Sequence, residues 1–492
     1  MGSNTEATEI PKMPLKIVFL TLPIAGHMLH IVDTASTFAI HGVECTIITT
    51  PANVPFIEKS ISATNTTIRQ FLSIRLVDFP HEAVGLPPGV ENFSAVTCPD
   101  MRPKISKGLS IIQKPTEDLI KEISPDCIVS DMFYPWTSDF ALEIGVPRVV
   151  FRGCGMFPMC CWHSIKSHLP HEKVDRDDEM IVLPTLPDHI EMRKSTLPDW
   201  VRKPTGYSYL MKMIDAAELK SYGVIVNSFS DLERDYEEYF KNVTGLKVWT
   251  VGPISLHVGR NEELEGSDEW VKWLDGKKLD SVIYVSFGGV AKFPPHQLRE
   301  IAAGLESSGH DFVWVVRASD ENGDQAEADE WSLQKFKEKM KKTNHGLVIE
   351  SWVPQLMFLE HKAIGGMLTH VGWGTMLEGI TAGLPLVTWP LYAEQFYNER
   401  LVVDVLKIGV GVGVKEFCGL DDIGKKETIG RENIEASVRL VMGDGEEAAA
   451  MRLRVKELSE ASMKAVREGG SSKANIHDFL NELSTLRSLR QA

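Results

Sequence analysis

Several short runs of this chain are mostly apolar without a regular polar alternation, and each stops at a turn or a polar residue. Residues 15–22 (LKIVFLTL) end at Pro23 and a Gly-His pair, a helical pattern follows through Thr34–Ile40, and a second apolar run covers Val43–Thr50. The pattern returns at Cys127–Ser130, which ends at Asp131 and leads into a helix-like Thr137–Ile144 and a further run, Arg148–Phe151. A strand that faces water on one side alternates apolar and polar residues; a continuously apolar strand is covered on both faces. Repeated strand–helix–strand units of this kind predict parallel sheets with helices on both sides, an α/β doubly wound architecture.

The chain has 492 residues, too many for a single core, so two such domains are expected. Around Val248–Ile254 (VWTVGPI) a strand runs into Gly-Pro, and the residues after it are polar and acidic. This divides the chain into an N-terminal domain over 1–253, a linker over 254–268 and a C-terminal domain over 269–465. A terminal helical segment, 466–492, is placed to pack back on the N-terminal domain. The second strand–helix series is expected at Ser281–Phe287, Pro294–Ser307 and Asp311–Val316, with later strands at Gly346–Glu350, Gly366–Thr369 and Pro385–Trp389. The acidic insert Asp320–Glu330 reads as a mobile loop, and about Arg431 to Leu486 as helical.

Charge narrows the partners. A formal net charge of −16 repels nucleic acid and anionic membrane, so an anionic ligand must be held by local donors and dipoles. Seven cysteines without a CxxC spacing favour reduced, buried thiols over disulfides or zinc. The N-terminus lacks an apolar signal core and the longest suspicious run, Phe157–Trp162, is far too short to span a bilayer, which together point to a cytoplasmic, monomeric protein with no integral membrane segment.

The densest cluster of chemistry is residues 352–395, WVPQLMFLEHKAIGGMLTHVGWGTMLEGITAGLPLVTWPLYAEQ. In its middle a strand ending near Thr369 enters the Gly-rich turn His370–Gly374, and a helix begins near Thr375. Such a turn offers backbone N–H groups and a positive helix end to a diphosphate. Trp352, Pro354, Gln355, His361, His370, Gly372, Trp373, Glu378, Gly383, Pro385, Trp389, Pro390, Glu394 and Gln395 stand at the offsets of a known signature. The segment resembles the donor-binding signature of plant secondary-product UDP-glycosyltransferases (family 1), and the likeness runs over nearly the whole chain. It implies a GT-B fold, two facing Rossmann-like domains, with a UDP-sugar as co-substrate and no cofactor. Trp352, Val353, Gln355, His370, Trp373, Gly374, Thr375, Glu378, Glu394 and Gln395 are then the expected UDP-sugar contacts. Trp352 would stack on uracil, Glu378 would accept the ribose hydroxyls, and Glu394 with Gln395 would bind the pyranose. The chain departs from the pattern at Gly374, where Asn is usual, at Val371 in place of Cys, and at Gly289 in place of Ser or Thr. Backbone amides, His370 and Thr375 are left to hold the phosphates.

Attack by a neutral hydroxyl on an anomeric carbon needs a base, and His suits that task near neutral pH. His27 follows the first strand, so it sits at the carboxyl edge of its sheet, where open α/β sheets bind ligands. Asp131 ends a later strand and is placed to accept the His27 N–H, as the acid of a Ser-His-Asp triad does, with the acceptor hydroxyl replacing Ser. The family's catalytic His and Asp match His27 and Asp131. Ala25 stands where Gln is frequent.

A single displacement follows: His27 takes the acceptor proton, oxygen attacks C1, and UDP leaves with inversion. Phe133, Tyr134, Trp136, Met156, Phe157, Met159 and Trp162 are the candidates for an apolar acceptor surface, suited to a small lipophilic acceptor. The wording of HGVECTIITTPAN and FYNERLVVDVLKIGVGVGV resembles legume triterpenoid saponin (soyasapogenol) glycosyltransferases. That implies transfer of a xylosyl or glucosyl unit to a triterpenoid saponin or sapogenin; a flavonoid or phenylpropanoid O-glucosyltransferase is the alternative. Ser138, seven residues after Asp131, is a candidate for choosing pentose over hexose. A silent UDP-sugar-binding protein is a third reading, motivated by Gly289 and Gly374. Pro23–His27 in place of GxGxxG at the first turn argues against a nicotinamide oxidoreductase, a lipid glycosyltransferase is disfavoured by the absence of a basic membrane face, and no residues show metal-ligand spacing.

Overall fold

A computed structural model describes residues 14–62, 64–258, 267–289, 291–316, 331–419, 422–423 and 426–491. The acidic insert Asp320–Glu330 and most of the linker over 254–268 lie outside the described residues. Contacts divide the chain into two compact units, one of Met1–Phe151, Lys220–Tyr222 and Ile476–Ala492, the other of Arg152–Leu219 and Gly223–Asn475.

In the first unit, β1 (Lys16–Leu20), β2 (Glu44–Thr49), β3 (Leu72–Leu76), β4 (Cys127–Asp131) and β5 (Arg148–Arg152) are all parallel and lie in the order β3-β2-β1-β4-β5. Strands β4 and β5 are buried at every residue, as expected for strands covered on both faces, the polar Ser130, Asp131, Arg148 and Arg152 at their ends included. Strand β3, absent from the sequence expectations, is a half-exposed edge; its Leu-Ser-Ile-Arg-Leu text alternates apolar and polar with the strand period but runs for only five residues. The helix after β1 spans Ala25–Ala39, so it starts nine residues before the expected Thr34. Ile24 is its extended N-cap and the Met28 N–H closes the first turn on the Ile24 carbonyl (2.9 Å), which puts His27 in the first turn of a helix. The chain's last helix, Ser471–Gln491, contributes its Phe479 ring to this unit, 5.3 Å from Phe38. Farther along it, Arg487 and Arg490 reach Asp126 at 3.5 and 3.3 Å.

The second unit holds an antiparallel hairpin, β6 (Met180–Leu183) with β7 (Ile190–Arg193), and a parallel pair, β8 (Gly223–Val226) with β9 (Lys247–Thr250). Its main sheet is six parallel strands: β10 (Val282–Ser286), β11 (Asp311–Val315), β12 (Gly346–Ile349), β13 (Ile364–Thr369), β14 (Leu386–Thr388) and β15 (Gly409–Gly411), ordered β12-β11-β10-β13-β14-β15. One core joins this sheet to its helices, with Ile283, Val285, Trp314, Leu368, Val387 and Ile434 almost fully buried. The expected C-terminal helical stretch is three helices, Arg431–Met442, Glu446–Ala465 and Ser471–Gln491. Among the described residues no helix is long and apolar enough to cross a membrane.

Phe479 is fully buried, while Leu489 on the same helix is 71% exposed. Phe479→Ala should therefore cost about 3–5 kcal/mol and Leu489→Ala no more than about 0.5 kcal/mol, read from denaturant unfolding of both variants.

Candidate active site

In both sheets the chain leaves two neighbouring strands in opposite directions: β1 beside β4, and β10 beside β13. Helices following such strands go to opposite faces and leave a crevice above the carboxyl ends, the topological switch point. His27 and Asp131 stand at the first and the turn His370–Thr375 at the second, while Trp352–Gln355 follow β12 and Glu394 and Gln395 follow β14. In the first unit Leu20 pairs with Ser130, so β1 and β4 end level, and the turn after β1 brings His27 back toward Asp131. His27 Nδ1 lies 2.6 Å from Asp131 Oδ2. The carboxylate is wholly buried and the imidazole one-quarter exposed. Asp131 is held by its own surroundings: Oδ1 accepts the Phe133 N–H (3.0 Å) and Oδ2 the Leu22 N–H (3.4 Å). A carboxylate can only accept, so Nδ1 carries the proton and Nε2 is the basic nitrogen. The Phe133 ring packs beside the imidazole at 5.8 Å.

At the second switch point the loops after β10 and β13 meet at His370. A Cβ on Gly288 (φ +74°) would lie 2.9 Å from His370 Cε1, and one on Gly372 would lie 2.7 Å from Nε2. Both glycines make room for the ring. Burial pushes the His370 pKa down to about 4, so at neutral pH the imidazole is an uncharged donor. Helix Trp373–Thr381 starts immediately after, and its first internal bond joins the Met376 N–H to the Gly372 carbonyl. The Trp373 N–H goes to Glu394 Oε1 (3.3 Å), while the N–H groups of Gly374 and Thr375 precede that first bond and point out of the helix end. The expected start near Thr375 is thus two residues late. Val371 holds φ +52°, a costly conformation for a β-branched residue. Its backbone is fixed at both ends, the N–H by Thr369 Oγ1 (3.3 Å) and the carbonyl by Asn398 Nδ2 (2.8 Å).

The other residues expected to contact a donor have the following surroundings. Glu378 accepts from Gln355 Nε2 at 2.6 Å, and the Tyr284 hydroxyl reaches Gln355 Oε1 at 3.4 Å. Trp352 is 48% exposed, against the usual burial of tryptophan, whereas its neighbour Val353 is buried. Gln395 is buried, and its Oε1 accepts the N–H groups of Leu391 and Tyr392 (2.9 and 3.1 Å), which fixes its NH₂ as the side that can donate. Trp373 is different: its indole is buried, and Nε1 donates to the Asn227 carbonyl at 2.7 Å. Only its backbone is placed for a ligand.

Met156, Phe157 and Met159, expected on an acceptor surface, are core residues no more than 4% exposed. They lie on the inward face of helix Met156–His168, which buries eight of its residues. Phe133, Tyr134, Trp136 and Trp162 remain partly exposed. Ser138 is buried, its hydroxyl donated to the Pro135 carbonyl at 3.0 Å. Of the seven cysteines, none in a disulfide, five are buried; Cys98 is exposed and Cys154 half-buried. Sequence reading missed Asn227, Ser228 and Asn398. Asn227 and Ser228 follow an apolar strand as Asp131 does, and that shared position was the available signal. Among the described residues no group of His, Cys, Asp and Glu could hold a metal ion.

Residues 265–420 match the sequence profile of the family described as UDP-glucoronosyl and UDP-glucosyl transferase. The chain is 44% identical to a soyasapogenol B glucuronide galactosyltransferase of Glycine max, over 98% of each protein. Among solved structures it resembles Glycyrrhiza uralensis UGT73P12 complexed with glycyrrhetinic acid 3-O-monoglucuronide, at TM-score 0.90 and 45% identity over 97% of each chain. It also resembles Medicago truncatula UGT71G1 complexed with UDP-glucose, at TM-score 0.78 and 25% identity over 96% of this chain and 98% of the other. With full-length identity of this order, the chain belongs to the UDP-glycosyltransferase family, is an enzyme of that class, and has the GT-B fold.

Proposed function

We propose that this enzyme transfers a sugar, with inversion, from a UDP-sugar to a hydroxyl of a triterpenoid saponin or sapogenin. The His27–Asp131 pair carries the chemical part. Asp131 holds the Nδ1–H tautomer, so Nε2 of His27 removes the acceptor proton while the oxygen attacks C1. The bond from C1 to the diphosphate breaks, and the negative charge released on UDP is met by His370 and the helix end at Gly374–Thr375. Glu378 binds the ribose, Trp352 the uracil, and Glu394 with Gln395 the transferred sugar. The missing Asn at 374 leaves the phosphates to backbone donors.

The acceptor class rests on likeness. Two similar proteins act on, or were crystallised with, triterpenoids that already carry glucuronic acid. We infer that a triterpenoid glucuronide is the acceptor and that glucose, xylose or galactose is transferred. The protein acts as a cytoplasmic monomer that needs no bound cofactor.

His27→Ala should lower turnover by about 10²–10⁴-fold while UDP still binds, and Asp131→Asn should fall in the same range because the amide favours the wrong tautomer. Near-normal turnover of His27→Ala would overturn the base assignment. Dialysis against EDTA should leave the rate unchanged; a loss restored by a divalent cation would refute the metal-free reading. The substrates are read from product masses in a matrix of UDP-glucose, UDP-xylose, UDP-galactose and UDP-glucuronate against triterpenoid glucuronide, free sapogenin and flavonoid acceptors. The same matrix tests Ser138. Ser138→Gly should raise the hexose-to-pentose product ratio, and an unchanged ratio removes Ser138 from donor selection.

A further inference from the structure

Glu233 is a buried carboxylate, only 2% exposed, that the reaction does not use. It lies at a kink in helix Ser230–Thr244, with φ −139° and ψ 29°. Its Oε1 accepts the Phe157 N–H at 2.6 Å, and its Oε2 accepts the Met156 N–H at 3.1 Å and the Ser228 hydroxyl. Met156 and Phe157 open helix Met156–His168, which has no side-chain cap of its own, so Glu233 caps that helix from another element.

The residue before this helix, Gly155, lies against the face of Trp373. A Cβ there would come within 2.1 Å of the indole. On its other side the indole N–H is bound to the carbonyl of Asn227, the neighbour of Ser228. The Asn227 side chain is itself fixed, its Oδ1 accepting the Ile254 N–H at 3.0 Å. A closed circuit results: Trp373, Asn227, Ser228, Glu233, Met156, Gly155 and back to Trp373. Trp373 is the first residue of the helix whose end is assigned to the diphosphate.

We propose that Glu233 is a positioning residue for the donor site. It holds the helix start at Gly155–Phe157 and the loop at Asn227–Ser228 in the spacing that seats the Trp373 indole, and so aims the N–H groups of Gly374 and Thr375. This rests on the reading of that helix end as the diphosphate site.

The circuit needs an acceptor at Glu233, since both backbone partners are N–H donors. Burial pushes its carboxyl up to about 7. The groups facing it are Glu237 on its own helix and the thiols Cys154, Cys160 and Cys161, which burial keeps protonated. A structural and a positioning role then differ in sign. A carboxyl whose pKa is raised on folding contributes stability that is present below its unfolded value and lost as pH rises through its folded value. Positioning requires the carboxylate, so donor recognition should improve over the same rise.

The experiment uses the full chain with UDP-glucose as the probe, whose diphosphate does not titrate near neutrality. For Glu233→Gln, the KM for UDP-glucose should rise by about tenfold, with acceptor KM within about twofold of wild type. In the wild type, UDP-glucose KM should rise as pH falls from about 8 to about 6, and this slope should be flat in Glu233→Gln. A donor KM within about twofold of wild type, with only a lowered Tm and a smaller active fraction, would overturn the proposal. If Glu233→Gln does not fold, Ser228→Ala removes one donor and leaves the carboxylate in place, and should raise donor KM by about two- to fivefold; no change there counts against the circuit. Glu378→Ala serves as the separate check of the donor-site reading. If that variant binds UDP-glucose normally, the site itself is misassigned, whatever Glu233 does.

Discussion

The strand-order reversal is the constraint on which the rest of this molecule depends. Beside β1 and β4, and again beside β10 and β13, the crossovers leave toward opposite faces, so nothing from the sheet fills the space above the strand ends. Parallel strands then deliver side chains to that space from a rigid base. Equal strand endings put Asp131 within 2.6 Å of an imidazole that lies one hundred and four residues earlier. The same geometry places the His370 ring between the loops after β10 and β13, where only glycine leaves it room.

Much of this was legible in the sequence, and for a physical reason. Strands covered on both faces are rich in apolar residues with little polar alternation, so β1, β2, β4, β5, β10, β11 and β13 announced themselves within a residue or two. The candidate residues His27, Asp131 and His370 lie at the strand ends and turns of their carboxyl edge, and the family resemblance gives them their roles. What escaped lacked such a signature. Edge strand β3 alternates Leu-Ser-Ile-Arg-Leu over only five half-exposed residues, and the hairpin β6–β7 is short and half-exposed. The helix carrying His27 begins at Ala25, since an Ile N-cap with no side-chain bond leaves no textual mark.

Side-chain orientation was the least readable feature. Trp373 belongs to the donor segment by sequence, yet its indole faces inward and supports the helix from behind. Met156, Phe157 and Met159 read equally well as a binding surface or as core, because apolarity alone does not say which way a helix is turned. The start of that helix is capped by Glu233, a contact between residues more than seventy positions apart. Long-range polar contacts of this kind have no local period to betray them.

The neutral state of His370 has a wider consequence. The chain's net charge of −16 opposes the approach of a dianionic sugar nucleotide, and the groups assigned to its phosphates are uncharged N–H donors rather than a cationic clamp. Recognition of the leaving group is therefore a matter of short-range direction, which dissolved ions do not screen, while the long-range repulsion is screened. Added salt, which weakens most anion-binding sites, should here leave the grip on the donor intact and ease its arrival.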